Sequence, residues 1–199
     1  MNAAADLVAP LRDFVIAMTR LIDRCSDEAT LLEQGTGLLA GLLVNDTWLP
    51  DHCAAANVEC YQQYLLHCDP LERFSVVSFV WGPGQMTPIH DHTVWGLIGV
   101  LRGAEVSRRY TRDAAANLVT GAASRLEPGQ IEAVSPRLGD VHAVANAYAD
   151  RPSISIHVYG ANIGAVRRHA FDATTAESRV FVSGYSSTQV PNLWSRAPA

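Results

Sequence analysis

The chain has 199 residues, 48% of them hydrophobic and 18% charged, with a formal net charge of −5 and arginine at all fifteen basic positions. That length and balance fit a single globular domain spanning residues 1–199 and exclude a disordered or fibrous chain. With no basic stripe, no basic-then-apolar leader and no apolar run of membrane-spanning length, neither nucleic acid nor a membrane is expected as a partner, and a cytoplasmic home follows.

From Asp6 to Arg24 the apolar residues Leu7, Val8, Leu11, Phe14, Val15, Met18, Leu21 and Ile22 recur every three to four positions, which predicts an amphipathic helix. Thr30 with Glu33 three residues on reads as the capping box of a second helix carrying Leu38, Leu39, Leu42 and Leu43, with Gly35, Gly37 and Gly41 limiting its extent. Residues 1–50 are therefore expected to be helical. Cys25, Cys53, Cys60 and Cys68 form no CxxC pair and have no histidine at zinc-finger spacing, so they are expected to be free thiols, mainly buried as small apolar groups.

After Cys60 the texture changes to short runs rich in Val, Ile, Phe and Tyr, separated by Gly, Pro and Asp. Phe74 to Trp81, Trp95 to Leu101, Ala104 to Tyr110 and Ser153 to Tyr159 read as strands of an all-β sandwich or barrel over residues 60–185, with the helices packed outside it.

Gly84-Gln85-Met86-Thr87-Pro88-Ile89-His90-Asp91-His92 is the first stretch that carries chemistry. Two histidines two residues apart on a strand project to the same face, so His90 and His92 can reach one metal from one wall. An HxH pair alone is a weak signal. A third histidine, His142, follows Gly139-Asp140-Val141 and precedes Asn146.

Together the two segments, a glycine with HxH six residues on and a later GxxHxxxN, resemble the two motifs of the cupins. The resemblance covers residues 61–159 and implies a mainly β, jelly-roll double-stranded β-helix with the metal inside its barrel. Many cupins add a glutamate ligand a few residues after HxH. Here that neighbourhood reads Thr93-Val94-Trp95-Gly96-Leu97, with no carboxylate. Three neutral imidazoles leave a divalent metal its full charge and open positions for an anionic ligand and dioxygen, whereas a closed structural site needs four protein ligands. Three imidazoles also accept zinc, nickel or copper.

Alternate residues Ser155, His157 and Tyr159 share one face of a strand, where hydroxyl, imidazole and phenol can form a hydrogen-bonded row. Beside a three-histidine site this row resembles the Ser-His-Tyr triad of the thiol dioxygenases, the family that includes cysteine dioxygenase. The resemblance implies one Fe(2+) per chain, a small thiol and O2 as substrates, and a Tyr159 hydroxyl directed at the place where they bind. In the members acting on cysteine, an arginine binds the substrate carboxylate. Gln63, in Tyr61-Gln62-Gln63-Tyr64-Leu65, stands in its place and makes the chain look like the bacterial 3-mercaptopropionate dioxygenases. Tyr61, Gln63 and Arg168 are accordingly the substrate-binding candidates, with Arg168 expected to supply the positive charge that a glutamine lacks.

Animal members carry a cysteine after HxH that is cross-linked to the tyrosine; this chain has none nearby, so Tyr159 is expected to be an unmodified phenol. His52, His67 and His169 lie outside both motifs and receive no role. A cysteine or cysteamine dioxygenase, and a cupin that binds a metal or ligand without catalysis, remain the competing readings.

Overall fold

The computed structural model describes residues 7–194. Asp6, where the first helix is expected to begin, lies outside the described residues. Helix α1 runs over Ala9–Arg24 and α2 over Glu28–Leu42, and a short 3-10 turn at Asp51–Cys53 leads into the strands. These are β1 Gln62–Cys68, β2 Ser75–Trp81, β3 Ile89–His90, β4 Gly96–Arg102, β5 Glu105–Arg112, β6 Leu118–Leu126, β7 Ile131–Val134, β8 His142–Asn146, β9 Ser153–Tyr159, β10 Arg168–Phe171 and β11 Ser178–Phe181. They form two antiparallel sheets, ordered β1-β2-β9-β4-β7 and β11-β10-β3-β8-β5-β6. This is the cupin double-stranded β-helix, with the two helices against the outside of the first sheet.

Period-two alternation in the central strands separates two interiors. Val76 and Val80 of β2, Leu97 and Leu101 of β4, and Ile154, Ile156 and Val158 of β9 face the helices, sharing one hydrophobic cluster with Leu11, Met18 and Leu39. The intervening residues Val77, Phe79, Trp81 and Tyr159 form a second cluster with Val144 and Ile163 inside the barrel. Both β2 and β9 are buried along their whole length.

The helix start differs from expectation. Asp27, not Thr30, is the N-cap: its carboxylate accepts the Thr30 backbone N–H at 2.9 Å and the Thr30 hydroxyl at 2.7 Å. Thr30 thus lies in the first turn, because an aspartate three residues before it caps with a full negative charge at the positive helix end. The glycines do not break α2, and the helical region ends at Leu42, short of Pro50. Gly35 is where the helix meets the sheet, since a Cβ there would lie 3.0 Å from Leu97 Cδ1. The cysteines are all free, but only Cys53 is buried; Cys25 and Cys68 are half-buried and Cys60 is exposed, because the last three sit at element ends and in a loop.

Asp27→Ala should lower stability by loss of the N-cap, read as a lower urea midpoint with an unchanged slope.

Candidate metal centre

His90 and His142 face each other in register across β3 and β8. His92 is not on a strand, contrary to the sequence reading: β3 ends at His90, and the backbone then turns through Thr93 at φ 61°. The Asp140 carboxylate fixes this turn by accepting the N–H groups of His92 at 3.1 Å and Thr93 at 2.8 Å. The three rings nevertheless converge, with centroids 4.8 to 4.9 Å apart and one nitrogen of each within 4.8 Å of the others.

Hydrogen bonds orient the rings. His90 Nδ1 lies 3.0 Å from the Pro88 carbonyl and His92 Nδ1 lies 3.2 Å from the Asp140 carbonyl. A carbonyl only accepts, so both Nδ1 atoms carry the proton and both Nε2 atoms present lone pairs. His142 Nδ1 meets Ser107 Oγ at 3.3 Å. His92 Nε2 is buried with no hydrogen-bond partner, a condition a metal ion would relieve.

Burial pushes the His90 imidazole down to about 3 and that of His142 to about 4, and holds His92 well below its usual value. All three are neutral, as ligands must be. No acidic side chain joins the cluster among the described residues. Three neutral nitrogens with one of them orphaned therefore fit a divalent metal that keeps open positions.

The row on β9 forms as its alternation predicts. Ser155 Oγ lies 2.8 Å from His157 Nε2, and His157 Nδ1 lies 2.8 Å from the Tyr159 hydroxyl. Phe79 stacks on His157 with centroids 4.0 Å apart, and the Tyr159 ring stacks on His92 at 5.3 Å. Burial raises the phenol well above its ordinary pKa, keeping it protonated. The residue opposite Tyr159 on β4 is Gly96, whose absent Cβ would sit 2.8 Å from the phenol ring. No side chain at that position can reach the ring, and none of the four cysteines is bonded to another.

Beside the histidines lies a cavity of about 150 Å³, lined by His90, Tyr61, Gln63 and Arg168 among others. The structure thus brings all three substrate-binding candidates into one cavity with His90. Arg168 is 3% exposed. Its Nη2 donates to Ser183 Oγ at 2.6 Å and its guanidinium lies 4.7 Å from the Phe181 ring centroid, while Nε has no partner. It makes no ion pair among the described residues. Arg179 and Phe181 also line the cavity.

Sequence reasoning passed over Asp140, Ser107, Phe79 and Trp81 as parts of this site. Phe79 and Trp81 carried no signal beyond their neighbours, since β2 is buried on both faces. Ser107 carried no local signal. His169 keeps its uneventful reading: it pairs with Asp91 at 2.8 Å on the outer edge of the cluster.

The profile of the family described as cysteine dioxygenase type I matches residues 54–173, which include every candidate residue above. Solved structures with similarity include a protein of Thermus thermophilus, at 20% identity and a TM-score of 0.44 over 56% of this chain and 92% of that one. A Klebsiella pneumoniae protein with a double-stranded β-helix domain matches at 17% identity and a TM-score of 0.46, over 66% of this chain and 88% of that one. A cupin superfamily protein of Desulfitobacterium hafniense matches at 16% identity and a TM-score of 0.42, over 62% and 88%.

Asp140→Ala removes the carboxylate that shapes the His92 turn. It should weaken divalent-metal binding roughly 10- to 100-fold, the usual effect of losing a group that orients a ligand, measured by competition with a chromophoric chelator.

Proposed function

Because the chain belongs to the cysteine dioxygenase type I family, we propose that it is a thiol dioxygenase using one ferrous iron held by His90, His92 and His142, and that its substrate is 3-mercaptopropionate, converted to 3-sulfinopropionate. The iron, when bound, supplies the site where a thiolate and dioxygen meet. In this reading the helices and barrel work as one unit, since they share a hydrophobic cluster, and a reducing cytoplasm is the compartment in which four free thiols persist.

The observation that carries the substrate choice is the buried, unpaired guanidinium of Arg168 in the same cavity as His90. Asp91 acts on it electrostatically but forms no ion pair with it, and a desolvated cation without a contacting counter-charge is costly unless an anion arrives to neutralise it. Burial lowers the Arg168 pKa, yet guanidinium stays charged at any physiological pH. A carboxylate reaching this group would accept charge-assisted hydrogen bonds from it and neutral ones from the Gln63 amide.

The lining discriminates among small thiols. Cysteamine brings an ammonium and no carboxylate to a cavity that contains Arg168 and Arg179. Cysteine has the carboxylate but also an ammonium, and no acidic side chain lines the cavity to receive it. A thiol carboxylate without an amine satisfies the cation and strands nothing. The small volume agrees, being well under the roughly 300 Å³ where drug-sized pockets begin.

Tyr159 is the proposed catalytic donor. Its phenol stays protonated and borders His92, with His157 and Ser155 holding it in place. A hydroxyl there can hydrogen-bond charge that develops on sulfur or oxygen.

The iron-loaded protein should consume dioxygen fastest with 3-mercaptopropionate in a panel with cysteine and cysteamine, giving a product heavier by two oxygen atoms. No uptake with any thiol would instead support a metal- or ligand-binding cupin without catalysis. Arg168→Gln should reduce kcat/KM for 3-mercaptopropionate about 10- to 100-fold, from the roughly 1.5–3 kcal/mol typical of a hydrogen bond to a charged group, with most of the change in KM. Tyr159→Phe should keep its iron and lose roughly 10- to 100-fold in kcat; loss of the metal would mean that the phenol is misassigned.

A further inference from the structure

Glu105, on β5, is completely buried, and neither of its carboxyl oxygens completes a hydrogen bond of ordinary length and angle. It sits next to Ser155 and the Trp81 indole, at the end of the β9 row remote from the metal cluster. Among the described residues no cation forms an ion pair with it. Across β8 it faces Asn146, and across β6 it faces Leu126. The flanking Arg125 and Glu127 are exposed and paired with each other, and Arg109 of its own strand pairs with Glu132. From β9 the ionisable groups on its side are His157 and Tyr159, and from β8 it is His142 at the far end of that strand.

The row Ser155–His157–Tyr159 has two self-consistent proton arrangements, and Trp81 limits how they can be chosen. The indole N–H donates to Ser155 Oγ at 3.3 Å and can accept nothing. The Ser155 proton therefore goes either to His157 or to Glu105. If it goes to His157 Nε2, then His157 carries its proton on Nδ1 and donates to the Tyr159 oxygen, leaving the phenolic proton free to point into the cavity. If it goes to Glu105, then His157 Nε2–H donates to Ser155 and Nδ1 must accept from Tyr159, so the phenolic proton is turned inward. The first arrangement needs Glu105 to be an acid donating to Ser155; an ionised carboxylate enforces the second.

We propose that Glu105 is a positioning residue for the reaction: a buried carboxylic acid whose proton sets the direction of the Ser155–His157–Tyr159 hydrogen bonds and so presents the Tyr159 hydroxyl to substrate as a donor. This rests on the thiol dioxygenase reading. Burial raises the Glu105 pKa to about 8, against weaker lowering by Ser155 and Trp81. Below that pH the acid form prevails, and above it the row reverses and the donor is withdrawn.

The test is E105Q, which is neutral at every pH and nearly isosteric. The kcat of iron-loaded wild type with saturating 3-mercaptopropionate, divided by that of E105Q at the same pH, should fall about tenfold between pH 7 and pH 9, as expected for loss of one proton at a pKa of about 8. The quotient cancels ionisation of the substrate and of groups common to both proteins, and a flat quotient overturns the proposal. A second measurement needs neither iron nor turnover. The metal-free wild type should show the infrared carbonyl stretch of a protonated buried carboxyl at pH 7, absent from E105Q and lost as the pH passes about 8. Over the same range 15N NMR should show the His157 proton moving from Nδ1 to Nε2. Absence of that band at pH 7, or a His157 proton already on Nε2, sinks the assignment of Glu105 while leaving the dioxygenase reading intact. A wild type inert toward every thiol, with the band present, sinks the reading and not the protonation of Glu105.

Discussion

The dryness of the barrel interior governs everything built inside it. Polar groups there cannot rely on water, so each must find a partner or remain uncharged. His90 and His92 solve this by giving their Nδ1 protons to backbone carbonyls, which are fixed by the fold and cannot titrate away. Their remaining nitrogens present lone pairs toward His142, and His92 Nε2 has no donor to accept from, a lack that a positive ion in the middle would relieve. A metal ion supplies that charge, and the same dryness that keeps the imidazoles neutral keeps them ready to bind it.

Charge inside the barrel is correspondingly sparse. The three clustered histidines are neutral, the phenol is protonated, and the one deeply buried cation lining the cavity is Arg168. In a medium of low effective dielectric that single charge reaches further than it could at the surface. A divalent metal held by the three histidines would add its field to that of Arg168, and under the proposed function both would attract an anion. The proposed thiol carboxylate would answer both, its thiolate toward the metal and its carboxylate toward the guanidinium. Cation recognition, by contrast, has no counter-charge among the lining residues.

How much of this was legible in the sequence depends on how far the signal lay from its neighbours in the chain. Strand β9 could be read to the residue, Ser153 to Tyr159, because its two faces differ so sharply: Ile154, Ile156 and Val158 on one and Ser155, His157 and Tyr159 on the other. The histidines were legible from motif and spacing, though the strand assumed to carry both ends at His90, and it is Asp140, 48 residues away, that places His92. Strands β6 and β11 escaped notice because their residues are mostly exposed and give no apolar alternation. Glu105 was invisible for a different reason. A glutamate beginning a strand of the pattern Glu-Val-Ser-Arg-Arg reads as a solvated residue, since Glu is almost never fully buried unless paired.

That exception bears on what the residue is for. In the unfolded chain Glu105 ionises near 4.5, and in the fold near 8. Between those values the native state holds a proton that the unfolded state has released, so stability falls as pH rises across that window. At neutral pH the penalty is on the order of a few kcal/mol, the linkage value of a shift of this size, and it comes on top of hydrogen-bond geometry poorer than water would provide. An apolar side chain of similar volume would pack against Trp81 and Ser155 without either cost. Packing and stability therefore both argue against an acid at this position. What an acid alone offers is a proton that can be present or absent beside Ser155, the member of the row through which His157 and Tyr159 are then set.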